Sequence, residues 1–234
     1  MILMENITSR KNRIITHLRA VASDAQYRNG CREFICDGEK TLREALSFGA
    51  EICCVLWKDK AAELSLPESV MQYTAPAELF EYASPLKSSG GPVFTVKMPD
   101  DGRDYDPGKV IVLENLQDPG NVGTVIRTAD AFSFDGVIFS GTCADPFAPK
   151  TVRSTMGSLF RVPVFFENAE NVRDYCKNAG IKLYAAALSD DAKSIKDVDL
   201  REGCVMIGNE AHGLSESELS LSDEKVIIPI KSAE

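Results

Sequence analysis

The chain has 234 residues, of which 44% are hydrophobic, and a net charge of −9; this composition suits an α/β protein with a substantial core and argues against a uniformly basic surface. No run approaches the roughly 18 to 20 uncharged apolar residues of a membrane span, and no apolar core follows a basic N-terminal lead, so we expect a cytoplasmic protein. Seven scattered cysteines without a Cys-x-x-Cys pair, together with only two histidines, argue against a disulfide framework and a structural zinc site.

The first 98 residues are predicted to form a small α/β unit. The pattern favours a helix with outward charges from residue 9, a strand at "EFIC" (33–36), a helix that ends at Gly49 and a strand at "EICCVLW" (51–57). Proline, glycine and aspartate are then concentrated in "MPDDGRDYDPG", so we place a linker at residues 99–108. The predicted domains are therefore 1–98 and 109–234.

The charge is unevenly distributed along the chain. Residues 1–36 contain six basic and three acidic groups, a net charge of +3, which leaves −12 on the rest of the chain. The N-terminal region is therefore the part that would face a polyanion, although a solvated helix face explains the same charges equally well. The candidate contact residues are Arg10, Lys11, Arg13, Arg28 and Arg32.

Beyond the linker, short apolar runs alternate with helical stretches. This pattern is typical of parallel strands that are covered on both faces, and ligands of such sheets bind beyond the carboxyl ends of the strands. The predicted strands are "VIVLE" (110–114), "GVIFS" (136–140), "LFRVPVFF" (159–166), "KLYAAAL" (182–188), "CVMIG" (204–208) and "KVIIPI" (225–230). The loops of interest follow Leu113, Leu188, Gly208 and Ile230.

The stretch "LENLQDPGNVGTVIRTAD" (113–130) joins the first of these strands to an amphipathic helix. It has neither the G-x-G-x-x-G pattern of a dinucleotide-binding turn nor the lysine of a P-loop. One face of the helix is apolar and the opposite face is polar. The apolar face consists of Val122, Val125, Ile126, Ala129 and Phe132. The polar face consists of Asn121, Thr124, Arg127 and Thr128. Asn121 is alternatively the helix N-cap. No acidic residue lies three or four positions before Arg127, although Asp130 is an alternative partner.

Two further loops carry residues suited to ligand binding or catalysis. In "MIGNEAHGLS" (206–215) a strand runs into Gly208, where a ligand can approach the backbone, and Glu210 lies at the rim of the same sheet. A solvated or capping role for this glutamate remains the alternative. In "KVIIPIKSAE" (225–234) Pro229 removes a ladder hydrogen bond, which indicates an irregular strand end with free backbone groups.

Taken together, the three loops resemble the motifs of the SpoU/TrmH family of RNA 2′-O-ribose methyltransferases in the SPOUT superfamily. "LENLQDPGNVGTVIRTADAFSFDGVIFS" resembles the first motif, "VMIGNEAHGLS" the second and "VIIPI" the start of the third, in the family's order and spacing across residues 110–231. Residues 8–50 resemble, more loosely, the small substrate-binding domain that many members carry before the catalytic one.

The resemblance implies a small N-terminal α/β RNA-binding domain followed by a mostly parallel-sheet domain with a C-terminal trefoil knot. It also implies S-adenosylmethionine as cofactor, a homodimer and no metal. The Asn and Arg of the first motif fall on Asn121 and Arg127, and the Gly and Glu of the second on Gly208 and Glu210. The expected cofactor wall is Ala187, Ile228 and Ile230.

The implied reaction is in-line attack of a ribose 2′-hydroxyl on the methyl group of the cofactor. Arg127 is assigned to clamping the adjacent phosphate and stabilising the developing alkoxide, because a guanidinium group keeps its proton in proteins and does not act as a base. Asn121 and Glu210 are expected to orient Arg127 and the loop. The extra N-terminal domain favours ribosomal RNA over transfer RNA as the substrate.

In the family the third motif continues into a Ser-Leu-Asn run that opens a final helix, and this run would follow Glu234 directly. We therefore expect an incomplete C-terminus, with the knot and the site lacking that helix. The alternatives are a noncatalytic RNA-binding relative, a transfer-RNA ribose methyltransferase and a nucleotide-binding hydrolase on an ordinary doubly wound fold; the hydrolase is disfavoured because the loop lacks a phosphate-binding lysine.

Overall fold

The computed structural model describes residues 4–86, 89–99, 108–201 and 203–229. The chain divides into two compact units, Met1–Asp100 with Pro146–Arg161, and Asp101–Asp145 with Val162–Glu234. The predicted linker at 99–108 lies mostly outside the described residues. The segment Pro146–Arg161 packs with the first unit, whereas the predicted second domain includes it.

Strands and helices are numbered here in chain order. The strands are β1 (Glu5–Asn6), β2 (Glu33–Asp37), β3 (Ile52–Lys58), β4 (Met71–Ala75), β5 (Val93–Lys97), β6 (Lys109–Glu114), β7 (Gly136–Ser140), β8 (Val164–Phe166), β9 (Lys182–Ala186), β10 (Lys193–Ser194), β11 (Gly203–Ile207) and β12 (Glu224–Ile227). The α-helices are α1 (Arg13–Ser23), α2 (Ala25–Cys31), α3 (Glu39–Ser47), α4 (Ala77–Ala83), α5 (Pro119–Ala131), α6 (Pro149–Thr155), α7 (Ala169–Ala179) and α8 (Glu216–Leu221).

The first unit contains a mixed five-stranded sheet in the order β1-β4-β3-β5-β2. Strand β4 is parallel to β1 and β3, and β5 is antiparallel to β2 and β3. Helix α1 buries Ile14, Ile15, Leu18 and Val21 in the core beneath this sheet. Positions i, i+1, i+4 and i+7 lie on one face of a helix, so this sequence pattern alone determines which side of α1 faces the core.

The single helix expected from residue 9 is two helices. The side chain of Asn12 caps α1 by accepting from the Ile14 N–H at 2.8 Å. Asp24 then adopts an extended conformation that ends α1, and its carboxylate accepts from the Tyr27 N–H at 3.0 Å to begin α2. An aspartate competes with the helix for backbone hydrogen bonds, which explains the break.

Aromatic packing attaches the segment Pro146–Arg161 to the first unit. The ring of Phe34 on β2 lies 5.3 Å from the ring of Phe147 and 6.3 Å from that of Phe160, measured between centroids. Such aromatic pairs contribute about 0.5–1.5 kcal/mol each beyond the area that they bury. The segment that carries α6 is therefore part of the first unit's core.

The second unit contains a seven-stranded sheet in the order β10-β12-β9-β11-β6-β7-β8. All neighbouring pairs are parallel, which confirms the predicted α/β class with a mostly parallel sheet. Of the run "LFRVPVFF", only Val164–Phe166 forms a strand, while Ser158–Phe160 forms a short 3₁₀ helix. Pro163 explains this difference because it has no N–H to donate to a sheet. Among the helices of the described residues, none has the length and apolar character to span a membrane.

Candidate active site

The sequence motifs meet at one edge of the parallel sheet. Strands β6 and β11 are neighbours, with Leu113 opposite Ile207, so the loops that follow them leave the sheet side by side. The end of β9 lies on the other side of β11, and β12 follows it. Residues almost a hundred positions apart in the chain are therefore adjacent at the carboxyl edge, where α/β sheets bind their ligands.

Glu210 connects the two loops. Its carboxylate accepts hydrogen bonds from the backbone N–H groups of Asp118 at 3.0 Å and Gln117 at 3.3 Å, and from the Asn121 side-chain amide at 3.1 Å. Burial acts to raise the pKa of Glu210, but the backbone hydrogen bonds and the Asn121 amide outweigh it and lower the pKa to about 2. The group is therefore a carboxylate at neutral pH and holds the first-motif loop to the second.

Asp118, and not Asn121, caps the helix that follows. The Asp118 carboxylate accepts from the Asn121 N–H at 2.9 Å, and Pro119 occupies the first turn. A Cβ atom on Gly120 would lie 2.8 Å from the Asp118 carboxylate, so glycine leaves room for this cap. The alternative reading of Asn121 as N-cap is wrong, because Asp118 fills that role and leaves the Asn121 amide to donate to Glu210.

The two faces of α5 separate as the sequence pattern indicates. Val122, Ile126 and Ala129 are buried, whereas Asn121 and Arg127 are exposed, together with Thr124 and Thr128. The two threonine hydroxyls donate to carbonyl groups one turn back in the same helix, each at 2.8 Å. Phe132 departs from the predicted apolar stripe and is 66% exposed, because the helix ends there.

Asn115, which no sequence motif singles out, joins three loops. It follows β6 directly and has a φ of 56°, a left-handed conformation that asparagine tolerates better than most residues. Its side-chain oxygen accepts from the Thr142 N–H at 2.8 Å, and its carbonyl accepts from the Asn209 side-chain amide at 2.9 Å. An asparagine directly after an apolar strand is the local signal that would have indicated this turn.

The second-motif loop is closed on itself. Asn209 and Gly213 exchange backbone hydrogen bonds of 3.1 and 2.9 Å, and the Asn209 side chain accepts from the Ala211 N–H at 2.9 Å. A Cβ atom on Gly208 would lie 2.3 Å from the carbonyl carbon of Gly213. Gly208 is therefore required by the packing of its own loop. The sequence had instead suggested that a glycine is needed there to let a ligand approach the backbone.

A second carboxyl group lies buried beneath these loops. Glu114 is 4% exposed and accepts from the Asn115 side-chain amide at 2.8 Å. Burial raises the pKa of Glu114; the Ser140 hydroxyl opposes this rise, and the neighbouring carboxylates of Glu218 and Glu170 add to it. Among the described residues, no group of three or more His, Cys, Asp or Glu side chains is arranged to hold a metal ion.

The candidate cofactor residues lie past the ends of two neighbouring strands. Ala187 follows β9 and donates its N–H to the Val226 carbonyl at 3.0 Å, and Ile228 follows β12. Ile228 is 66% exposed and Leu188, next to Ala187, is 91% exposed. Exposed aliphatic side chains beside a strand end suit a ligand with an apolar ring and polar edge atoms, so the residues present fit a nucleoside cofactor. Ile230 lies outside the described residues.

The candidate RNA contacts in the first unit have different environments. Arg28 is 4% exposed and its guanidinium donates to the Val21 carbonyl at 2.7 Å, so it belongs to the interior and we remove it from the proposed contact surface. Arg32 is half-buried and donates to the Pro99 carbonyl. Arg10, Lys11 and Arg13 are exposed.

Comparison with known proteins gives consistent matches. Residues 108–233 match the SpoU rRNA Methylase family. The 23S rRNA (guanosine(2553)-2′-O)-methyltransferase RlmP of Bacillus subtilis is 29% identical over 97% of this chain and 91% of its own length. The 23S rRNA (uridine(2479)-2′-O)-methyltransferase of Streptomyces viridochromogenes is 31% identical over 96% of this chain and 84% of its own length. The AdoMet-bound rRNA methyltransferase of Sinorhizobium meliloti superposes with a TM-score of 0.86 at 26% identity, covering 98% of this chain and 90% of that one.

Proposed function

Because the chain belongs to the SpoU rRNA methylase family, we propose that it transfers the methyl group of S-adenosylmethionine to a ribose 2′-hydroxyl of ribosomal RNA. The geometric observation that carries this proposal is the set of three hydrogen bonds from the first-motif loop to Glu210. They fix α5 at the carboxyl edge of the sheet, with Arg127 on its exposed face. The relatives named for 2′-O-methylation of 23S rRNA support ribosomal RNA as the substrate class.

The residues proposed to hold the cofactor are Ala187, Gly208 and Ile228, with Ile230 as a further candidate. An AdoMet-bound rRNA methyltransferase structure that superposes on 98% of this chain, at 26% identity, supports the identity of the cofactor. When bound, S-adenosylmethionine would supply a methyl carbon for attack by a hydroxyl oxygen; the bond from this carbon to the positively charged sulfur would break, and the neutral thioether would leave. The backbone groups at the ends of β9 and β12 and the exposed Leu188 and Ile228 side chains would hold the adenosine portion.

Arg127 is proposed as the catalytic residue. The 2′-oxygen would gain negative charge as its proton passes to solvent water and it attacks the methyl carbon, and a fixed cation close to it would lower the energy of that state. A guanidinium group only donates hydrogen bonds, so Arg127 stabilises charge and holds the neighbouring phosphate and does not remove the proton. Asn121 and Glu210 are positioning residues, because their mutual hydrogen bond fixes the first turn of the helix that carries Arg127.

We also propose that the strands of the second unit belong to a trefoil knot, that the protein acts as a homodimer and that it works in the cytoplasm. The strand order supports a knot: β11 lies between β6 and β9, and β12 lies on the far side of β9. The exposed aromatic side chains of Phe132 and Phe166 in the second unit support a partner surface. Ribosomal RNA as the substrate supports the cytoplasmic location.

The test is methyl transfer to ribosomal RNA that lacks the modification. RNA from a strain without the gene would be incubated with the purified protein and S-adenosylmethionine labelled in its methyl group. We expect label in ribosomal RNA and little in transfer RNA, and a loss of about a hundredfold or more for Arg127→Ala. Arg127→Lys keeps the charge and should lose less. RNA binding without transfer by the native protein would favour a noncatalytic relative and overturn the proposal.

A further inference from the structure

The first unit contains a cleft of about 520 Å³ that is separate from the residues assigned to methyl transfer. Three cationic side chains line it: Arg19 from α1, and Lys150 and Arg153 from α6. The other lining residues are alanines, prolines, serines and one leucine, and none of the described residues that line it is acidic. The cleft therefore combines a positive rim with a largely apolar floor.

One of the three cations is held rigidly in place. The Arg19 guanidinium donates to the Tyr82 carbonyl at 2.7 Å and lies 4.0 Å from the centre of the Tyr82 ring. The Arg10 guanidinium lies 4.6 Å from the centre of the same ring and pairs with the Glu78 carboxylate at 2.6 Å, so it helps to order the ring but adds little net positive charge. A side chain that is already ordered loses little conformational entropy when it binds a ligand.

The two cations on α6 are exposed. Arg153 also faces Asp37, a half-buried carboxyl whose pKa is raised by burial while Arg153 acts to lower it. This carboxyl does not itself line the cleft, whose described lining residues include three cationic and no acidic side chains. Lys150 and Arg153 lie within the region that matches the methylase family, yet they pack with the first unit.

We propose that this cleft binds the sugar-phosphate backbone of a single-stranded stretch of the ribosomal RNA substrate. The inference rests on the proposed function, since it assigns a second contact site for the same RNA. Phosphate groups would meet Arg19, Lys150 and Arg153, and a ribose or base would lie on the apolar floor. Proteins that hold single-stranded RNA combine a basic groove with such stacking or apolar surfaces. A stretch of acidic peptide would meet the cations as well, but it would make little use of the apolar floor.

The experiment is an RNA-binding titration with the charge-reversed double variant Lys150→Glu, Arg153→Glu. The probe is a ribosomal RNA fragment from a strain without the gene, measured by fluorescence anisotropy at several salt concentrations. The double variant should bind at least about tenfold more weakly. The slope of log affinity against log salt should fall by about 1.4, which is about 0.7 for each of two lost phosphate contacts.

The matched control reverses two exposed lysines of the second unit, Lys177→Glu and Lys196→Glu, with the same change in net charge. This control should change RNA affinity less than about threefold, because its charges lie outside the cleft. The neutral double variant Lys150→Gln, Arg153→Gln should show an intermediate loss of RNA affinity. Circular dichroism would show whether charge reversal prevents folding, and in that case the neutral variant provides the test.

Two outcomes would overturn the cleft proposal. The first is an RNA affinity of the double variant equal to that of the control. The second is loss of polyglutamate binding with RNA affinity retained, which would assign the cleft to an acidic protein. S-Adenosylmethionine binding should be unchanged in the double variant, because Lys150 and Arg153 are not among the residues proposed to hold the cofactor. A native protein that binds RNA in the cleft and transfers no methyl group would refute the proposed function and leave the cleft standing.

Discussion

The two units use polar side chains in opposite ways. At the carboxyl edge of the second unit, exposed polar groups are held by hydrogen bonds to the backbone of other loops, as Glu210 is by Gln117 and Asp118. In the first unit, two arginines of the same N-terminal basic cluster have different environments. Arg10 is exposed beside Tyr82, whereas Arg28 is only 4% exposed. A count of charges thus identifies neither a binding surface nor a site; the partners and the burial of each group decide its role.

The largest expected effect comes from breaking the link between the two motifs. Asn121→Asp places a carboxylate where the Asn121 amide now donates to Glu210 at 3.1 Å. Like charges at this distance repel, so we expect the rate of methyl transfer to fall by about a hundredfold, with RNA affinity changed little. Single-turnover transfer at saturating RNA measures this.

The matched control for that change is Asn171→Asp on α7. Asn171 occupies the same position after its helix cap, and its amide donates to the Glu167 carboxylate at 2.8 Å. The chemical change is therefore the same, but it lies outside the candidate site. Equal loss of transfer in the two variants would contradict a positioning role for Asn121 and point to general destabilisation.

The next largest effect is on stability, and it compares a buried with an exposed basic residue of the first unit. Arg28→Ala removes a buried hydrogen bond to the Val21 carbonyl and leaves that carbonyl without this donor. We expect a loss of about 2–3 kcal/mol in the free energy of unfolding. Lys11→Ala, at an exposed position, should stay within about 0.5 kcal/mol of the native protein. Urea unfolding distinguishes the two; equal stability of both variants would mean that Arg28 has no structural role.

A smaller effect tests the junction of three loops. Asn115→Ala removes the side-chain hydrogen bond to the Thr142 N–H and forces alanine into a left-handed conformation. We expect a loss of about 2 kcal/mol in the free energy of unfolding. Asn115→Gly relieves the backbone strain, so it should recover about half of that loss. If the glycine variant were less stable than the alanine variant, the left-handed turn would not explain the residue.

The smallest effect concerns pH. Since the pKa of Glu210 is lowered from 4.5 to about 2, the folded state favours the charged form, and the resulting stability is present above about pH 4.5 and lost as the pH falls towards 2. Glu210→Gln lacks this contribution. The difference in Tm between the native protein and the variant should therefore shrink on acidification, by no more than about 2 °C because the carboxylate is exposed. A difference that grew on acidification would contradict the assignment.

The sequence predicts the strands better than the connections between them. Apolar runs such as "GVIFS" are local signals, and β7 covers Gly136–Ser140 as predicted. The burial of Arg28 and the packing of Phe147 on Phe34 depend on residues far away in the chain, so no local pattern reveals them. The motifs placed Asn121 and Glu210 in one site, and the structure brings them into contact. Asn115 and Asn209 were missed because their contacts with each other and with the Thr142 N–H join loops that only the fold brings together.

The most direct test of the central claim is the chemical identity of the methylated nucleoside. Ribosomal RNA labelled by the protein would be digested to nucleosides, separated and analysed by mass spectrometry. We predict that the label lies in a single 2′-O-methylribose nucleoside, that the adjacent phosphodiester bond resists alkaline hydrolysis, and that Arg127→Ala removes both signals. Label in a base, or the same 2′-O-methylnucleoside formed by Arg127→Ala at the native rate, would contradict the account.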